Sequence, residues 1–345
     1  MKHRTIRDTL ALVDNPAQLL NVLEWCYHEQ AGLRTRILVL APTDEVTIDQ
    51  LREMCDFAEE EDVEVEWHHP RRSLRSGLAV VEALRPALAA ARRVVIGDPF
   101  AGFVHVLLPL VAAPEVIVVD DGTATMEFAA QLAAAEPLRR WHVPGAPGPV
   151  KRTLARRATS FYRGRHVRLF TAMHVTELPS SQVQQHRYDW TRGRFAAPRV
   201  VPGRDLLGSS LVESGLVQVD AYLDAVAALA GSGGRYFAHR RENPAKLRRI
   251  QQCTGLKIVR PRVPIEIELR RGPVAGQLVS FPSSVGYTLP LVLAGVGTRI
   301  VIEPVDESML GPEVSAHARA FLQRVEGDLE LIDSRPARVG VSASA

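Results

Sequence analysis

Short apolar runs alternate with amphipathic stretches of helical length, and this alternation limits the fold more than anything else in the chain. Asn15 reads as an N-cap with Pro16 in the first helical position, opening a helix to about Gln30 with Leu19, Leu20, Leu23 and Tyr27 at core spacing. Arg36 to Leu40 reads as a buried parallel strand. A helix over Thr47 to Glu60, a strand over Val63 to His68 and a helix over Arg75 to Ala90, ended or kinked by Pro86, come next. Arg93 to Ile96 reads as a strand, Val104 to Val111 as a helix and Glu115 to Val119 as a strand. Strands that alternate with helices build βαβ units and an open, mostly parallel sheet.

The periodicity breaks over Trp141 to Val150, which is rich in Pro and Gly, and a basic segment from Lys151 to Arg168 leads to a strand over His166 to Thr171. Pro179 to Pro198 is polar and irregular. The alternation then restarts, with strands at Arg199 to Val201 with Asp205 to Leu207, at Arg235 to Ala238, Lys257 to Val259, Gln277 to Phe281 and Thr298 to Ile302. Helices are expected over Val217 to Gly231, Asn243 to Thr254, Ile265 to Arg271, Tyr287 to Val296 and Val314 to Val325, with a frayed tail from Asp333. The expected fold class is therefore α/β, with two Rossmann-like αβα domains, 1–198 and 199–332, an intervening cleft, and a tail over 333–345.

In such sheets a ligand lies off the carboxyl ends of the strands. Four of those ends carry chemistry. Asp120, Asp121 and Gly122 follow an apolar strand, where a carboxylate can take the proton of a substrate hydroxyl. The alternative is a turn with one acid capping a helix from Thr123 to Leu132, and a metal pair is a weaker third reading. Gly208-Ser209-Ser210, His239-Arg240-Arg241 and Pro282-Ser283-Ser284 stand at three ends in the second half. The middle one sits between the turn Gly231-Ser232-Gly233-Gly234 with its aromatic strand, and a helix begun by Asn243-Pro244. Backbone amides, hydroxyls, arginine and histidine all favour an anion there. Ser283-Ser284 alone reads first as an N-cap; the convergence of three junctions raises the phosphate reading. Neither a P-loop lysine pattern nor GxGxxG is present.

Composition removes several classes. A net charge of +3 and 6% aromatic residues give no nucleic-acid signature. Three cysteines, Cys26, Cys55 and Cys253, form neither a disulfide framework nor a metal pattern and suit a reducing interior. The start, Met1 to Arg4, leads into no signal-type apolar core, and the longest apolar run, Phe103 to Ala113, is too short to span a bilayer. The expected location is cytoplasmic, with peripheral association at the inner face of the membrane left open. Arg152, Arg156, Arg157, Arg163 and Arg165 are either a solvated basic face or contacts for anionic glycan or lipid headgroups. His68-His69 and Asp98 read as turn residues or as acceptor contacts, and Trp25, Trp67, Trp141 and Trp190 as packing.

The order Val118-Val119-Asp120-Asp121-Gly122-Thr123, then Tyr236-Phe237-Ala238-His239-Arg240-Arg241-Glu242, then Ser280-Phe281-Pro282-Ser283-Ser284 resembles the bacterial lipooligosaccharide sialyltransferases and the related polysialyltransferases. Gly208-Ser209-Ser210 and Pro264-Ile265-Glu266 fit the same pattern, and Arg240 departs from it where many members have Pro. The resemblance implies a GT-B fold and an inverting, metal-independent transfer, with no cofactor, of sialic acid or a related acidic sugar from a CMP-sugar donor to a glycan or glycolipid acceptor. It implies Asp120 as general base with Asp121 orienting the loop, the two not being separable from sequence. His239 would assist the departing phosphate as an acid, and Ser283 and Ser284 would hold that phosphate. Gly208, Ser209 and Arg240 would line the nucleotide side, Glu266 the ribose, and Asp98 and Gly122 the acceptor side. The alternatives are a UDP-sugar transferase or epimerase on the same fold, and a non-catalytic nucleotide or glycan-binding module.

Overall fold

The computed structural model describes residues 7–143, 148–231 and 233–333. Met1 to Arg4, part of the Trp141–Val150 tract, Ser232 and the tail from 334 onward lie outside them. Strands β1 (Thr9–Val13), β2 (Thr35–Leu40), β3 (Glu64–His68), β4 (Arg93–Ile96), β5 (Glu115–Val119), β6 (His166–Thr171) and β7 (Val183–Gln185) form one parallel sheet in the order β3-β2-β1-β4-β5-β6-β7. Strands β8 (Val200–Leu207), β9 (Arg235–Phe237), β10 (Lys257–Val259), β11 (Val274–Ser280) and β12 (Arg299–Ile302) form a second, ordered β10-β9-β8-β11-β12. Both sheets reverse strand order at one place, between β1 and β4 and between β8 and β11. At such a reversal the connections leave to opposite faces and open a crevice at the carboxyl ends.

The helices are α1 (Pro16–Glu29), α2 (Glu45–Glu60), α3 (Leu74–Ala90), α4 (Gly102–Leu107), α5 (Ala124–Ala133), α6 (Pro149–Arg163) and α7 (Asp189–Arg194) with the first sheet. With the second come α8 (Val219–Leu229), α9 (Pro244–Thr254), α10 (Ile265–Arg271), α11 (Val285–Val292) and α12 (Ala316–Asp333). Strand β1 shows why the first sheet reads as unbroken apolar runs. Ala11 and Val13 pack into one core with α1 and α2, while Leu10 and Leu12 pack into another with α3 and α4. A strand covered on both faces has no polar side to show.

Local chemistry starts the helices where the sequence says it should. The Asn15 side chain accepts from the Ala17 and Gln18 amides (3.0 and 3.1 Å), and Pro16 follows it. The Asn243 side chain accepts from the Ala245 amide (2.8 Å), and Gly255, at φ +70°, closes α9.

Several elements depart from expectation. β1 was not anticipated at all. The basic segment is helix α6, and the irregular tract contains β7 and α7. α3 runs through Pro86 to Ala90 without stopping there. α4 ends at Leu107 and a tighter turn, Leu108–Leu110, continues at Pro109. β11 begins at Val274, earlier than Gln277, and α12 extends to Asp333.

α12 returns to the first half of the chain. His174 Nδ1 lies 2.6 Å from Asp328 Oδ1, His317 Nε2 3.0 Å from Glu127 Oε1, and Arg324 pairs with Glu177. Phe321 lies against Trp141 with ring centres 4.7 Å apart. Among the described residues no helix is long and apolar enough to cross a membrane.

Candidate functional site

The carboxyl ends of the two sheets face one cavity of about 570 Å³. On the second sheet its wall is built around Glu242. This buried side chain folds back under β9, where Oε2 accepts from the His239 amide (2.7 Å) and Oε1 from the Tyr236 hydroxyl (2.6 Å). Lys246, one helical turn on, lies 2.8 Å from the same carboxylate. Burial raises the Glu242 pKa, and Lys246 opposes that rise. Lys246 also donates to the Ser209 carbonyl (3.2 Å) and pairs with Glu213 (3.0 Å). The loop after β8 is thereby tied to the loop after β9. Gly208 allows the two loops to touch, because a Cβ there would stand 2.2 Å from Glu242 Oε2.

This clamp aims His239. The Arg241 amide donates to His239 Nδ1 (3.2 Å), which leaves the proton of the neutral ring on Nε2. Burial, and then Arg240, Arg241 and Lys246, hold the histidine pKa well below its ordinary value. His239 is therefore a neutral hydrogen-bond donor at neutral pH. Arg240 and Arg241 line the cavity beside it, and neither has an ion-pair partner among the described residues. Ser283 and Ser284 line the cavity at the start of α11, and the Ser284 side chain makes no capping bond. Ser283 Oγ lies 3.4 Å from Ser280 Oγ. Glu266 is buried, accepts from the Thr288 hydroxyl (2.7 Å), and has its pKa raised by burial.

The first sheet offers acid instead. Asp14, just past β1, accepts from Arg71 (2.6 Å). Burial raises the Asp14 pKa, with Arg71 opposing. Asn15, having capped α1 with its oxygen, donates through Nδ2 to Asp121 Oδ1 (2.8 Å). Arg140 lies 3.5 Å from Asp121 Oδ2 and 2.5 Å from Asp98. Asp98 is pushed up to about 7, by burial above all, against the pull of Arg140. Burial also works against the charge on Arg140, but Asp98, Asp121 and Asp14 together raise its pKa.

Asp120 is set deeper than expected, and Asp98 lies off the cavity. Asp120 is 1% exposed, and its carboxylate accepts from the Thr171 hydroxyl (2.5 Å) and the Ala172 amide (2.6 Å), fixing β5 to β6. Both of its oxygens are thus engaged by β6 although Asp120 also lines the cavity, and the neighbouring carboxylate, Asp121, is held there by Asn15 and Arg140. Asp98 lies under Arg140 and is not among the residues lining the cavity. Gly122, Gly208, Ser209, Arg240, Glu266, Ser283 and Ser284 do line it, together with His239, Asp120 and Asp121. Gly122 has φ +64°, and a Cβ there would stand 3.3 Å from Ser284 Oγ, so the two mouths meet at this residue.

Sequence reasoning missed Asp14, Arg71, Arg140 and Lys246. The signal for Asp14 was present, since it ends the apolar run Thr9–Val13. Arg71, Arg140 and Lys246 carry no motif; long side chains reach the site from remote loops and one helix. His68 pairs with Glu66 at the end of β3, away from the cavity. Trp25 and Trp190 are buried, whereas Trp141 lines the cavity.

No family model matches the chain, and no curated protein matches it in sequence. Among solved structures it is similar to an α/β-galactoside α-2,3-sialyltransferase from Photobacterium phosphoreum. The TM-score is 0.53 at 11% identity, covering 96% of this chain and 98% of that one. Weaker likenesses are to a UDP-glucosyltransferase from Polygonum tinctorium (TM-score 0.47, 11% identity, 96% and 95% covered) and a sialyltransferase from Photobacterium damsela (0.46, 12%, 93% and 79%). At such identities the likeness is one of fold. The two parallel sheets facing one cleft are a GT-B-type α/β architecture, as expected from the sequence.

Proposed function

We propose that the protein is an inverting glycosyltransferase that moves sialic acid or a related acidic sugar from a CMP donor to a glycan hydroxyl. One observation carries the reading: a carboxylate, Asp121, faces a neutral histidine, two unpaired arginines and two serine hydroxyls across a single cavity. Asp121 takes the place first given to Asp120. Its carboxylate accepts the acceptor hydroxyl proton as the oxygen attacks the anomeric carbon. The bond from that carbon to the phosphate oxygen breaks, and its electron pair stays on the departing CMP. His239 Nε2–H, Ser283, Ser284 and Arg240 meet the growing phosphate charge with donors already in position. No step of this scheme calls on a metal or a cofactor. On this reading residues 1–198 serve the acceptor and 199–332 the nucleotide, Glu266 faces the ribose, and Asp120 and Asp98 act through their neighbours. Access for substrates needs the mouths to part at Gly122 and Ser284. The protein would work in the cytoplasm.

A nucleoside diphosphate sugar is the second reading, favoured by the pair Arg240 and Arg241, since two free guanidiniums suit two phosphates. Incubation with a panel of CMP- and UDP-sugars separates the two. The expected result is CMP release from CMP-sialic acid, accelerated by glycan acceptors. Release of UDP alone would replace the donor, and tight nucleotide binding with no release from any sugar would leave a binding module.

A further inference from the structure

We infer that the flank of the first half where α3 and α6 begin is a docking surface for an anionic phospholipid bilayer. Leu74 is 91% exposed and Leu78 68%. They stand one turn apart on α3, so both project from the same face. Single exposed leucines are ordinary; two on one face, at a helix start fixed by its cap, form a patch. That cap is Ser73, whose hydroxyl accepts from the Ser76 amide (3.0 Å).

Cations surround the pair. Arg72 and Arg75 are exposed and have no ion pair among the described residues, while Arg71 is drawn inward to Asp14. No acidic residue occurs between Glu66 and Glu82. α6 repeats the pattern. Val150 is 72% exposed in its first turn, and Lys151 and Arg152 beside it are exposed and unpaired among the described residues. No Asp or Glu occurs between Glu136 and Glu177. In a chain whose net charge is only +3, this is a local excess.

Topology brings both sets to one edge of one face, with α4 between them. A helix that follows a parallel strand starts at the carboxyl edge, as α3 does after β3. α6 leads into the start of β6, so its own first turn lies at that same edge. α3, α4 and α6 share one core on one face of the sheet, and the Phe103 ring of α4 lies 3.7 Å from where a Gly77 Cβ would stand on α3. The patch therefore sits beside the cavity mouth. Apolar side chains at the acyl boundary with guanidinium and ammonium groups at the phosphates are what a leaflet of anionic lipid accommodates. If the transfer reading holds, the acceptor is a glycan carried by a lipid; docking itself does not depend on that reading.

The test is co-sedimentation of the full chain with vesicles of phosphatidylcholine alone and of equimolar phosphatidylcholine and phosphatidylglycerol. The wild type should sediment with the mixed vesicles only. L74S/L78S and R72E/R75E should each lower the bound fraction about tenfold while melting as the wild type does. The inference is overturned if the wild type stays in the supernatant with mixed vesicles, including the case in which an acidic protein is its partner. It is equally overturned if either double variant sediments unchanged. Nucleotide release with a soluble acceptor is read separately, so failure of docking and failure of the transfer reading are distinguishable.

Discussion

The two sheets have the same strand order around their crevices, yet their mouths carry opposite chemistry. At the first mouth every named charge has a partner: Asp14 with Arg71, Asp98 with Arg140, Asp121 with Asn15 and Arg140. At the second, the pairing lies underneath, between Glu242 and Lys246, and the surface groups Arg240, Arg241, Ser283 and Ser284 are left to the cavity. One mouth pairs its charges within itself; the other leaves its guanidiniums without an ion pair among the described residues, with Asp121, Asp14 and Asp44 acting on Arg240 from across the cavity. A shared topology thus fixes where a ligand sits, and loop residues decide which half holds which part of it.

The contrast can be broken in order of expected size. Asp121→Ala should lower the transfer rate by about 10²–10⁴-fold with donor affinity unchanged, read by CMP release and calorimetry. The same loss in Asp120→Asn, with Asp121→Ala nearly active, would return the base to Asp120. Glu242→Ala leaves Lys246 buried without its closest carboxylate and should cost about 3–5 kcal/mol of stability, measured by denaturant unfolding. A cost below that of a surface change would mean that the clamp does not hold the second mouth. Arg240→Ala should weaken CMP binding about tenfold, the value of one charge-assisted contact, while the equivalent change at the first mouth, Arg71→Ala, leaves it alone.

The smallest effects are opposite pH trends. His239 has a lowered pKa, so the unfolded chain binds its proton first as pH falls. The stability it contributes is complete above about 6.5 and is lost below it. Wild type should therefore gain on His239→Asn as pH rises through that value. Asp98, raised to about 7, has the reverse sign: the folded chain keeps a proton that the unfolded chain gives up. Wild type should lose ground to Asp98→Asn between about pH 4 and 7. Melting temperatures that move in parallel for the two variants would remove the electrostatic contrast.

Much of this was legible in the sequence for a physical reason. Strands buried on both faces and helices with strong caps carry their own signatures, so β2, β5 and α9 stand close to their expected bounds. β1 escaped although its run, Thr9–Val13, is as long and as buried as β5; an apolar run of this length has no periodicity to tell strand from buried helix. With it went Asp14. The pair Asp120-Asp121 could not be divided in sequence, because which side chain turns inward depends on Thr171 and Ala172, half a domain away in the chain. Gly208 read as a nucleotide contact, but its lack of a side chain is explained by Glu242 beneath it.

Gly122 and Ser284 give the cleft a mechanical property. Where the two mouths come together, the first contributes bare main chain and the second a single hydroxymethyl group. The spacing across the cavity at this point thus depends on the absence of a side chain on one side and on a short one on the other. A methyl group added at Gly122 would act as a shim, and every donor on one side would then meet the reacting centre on the other from a longer range.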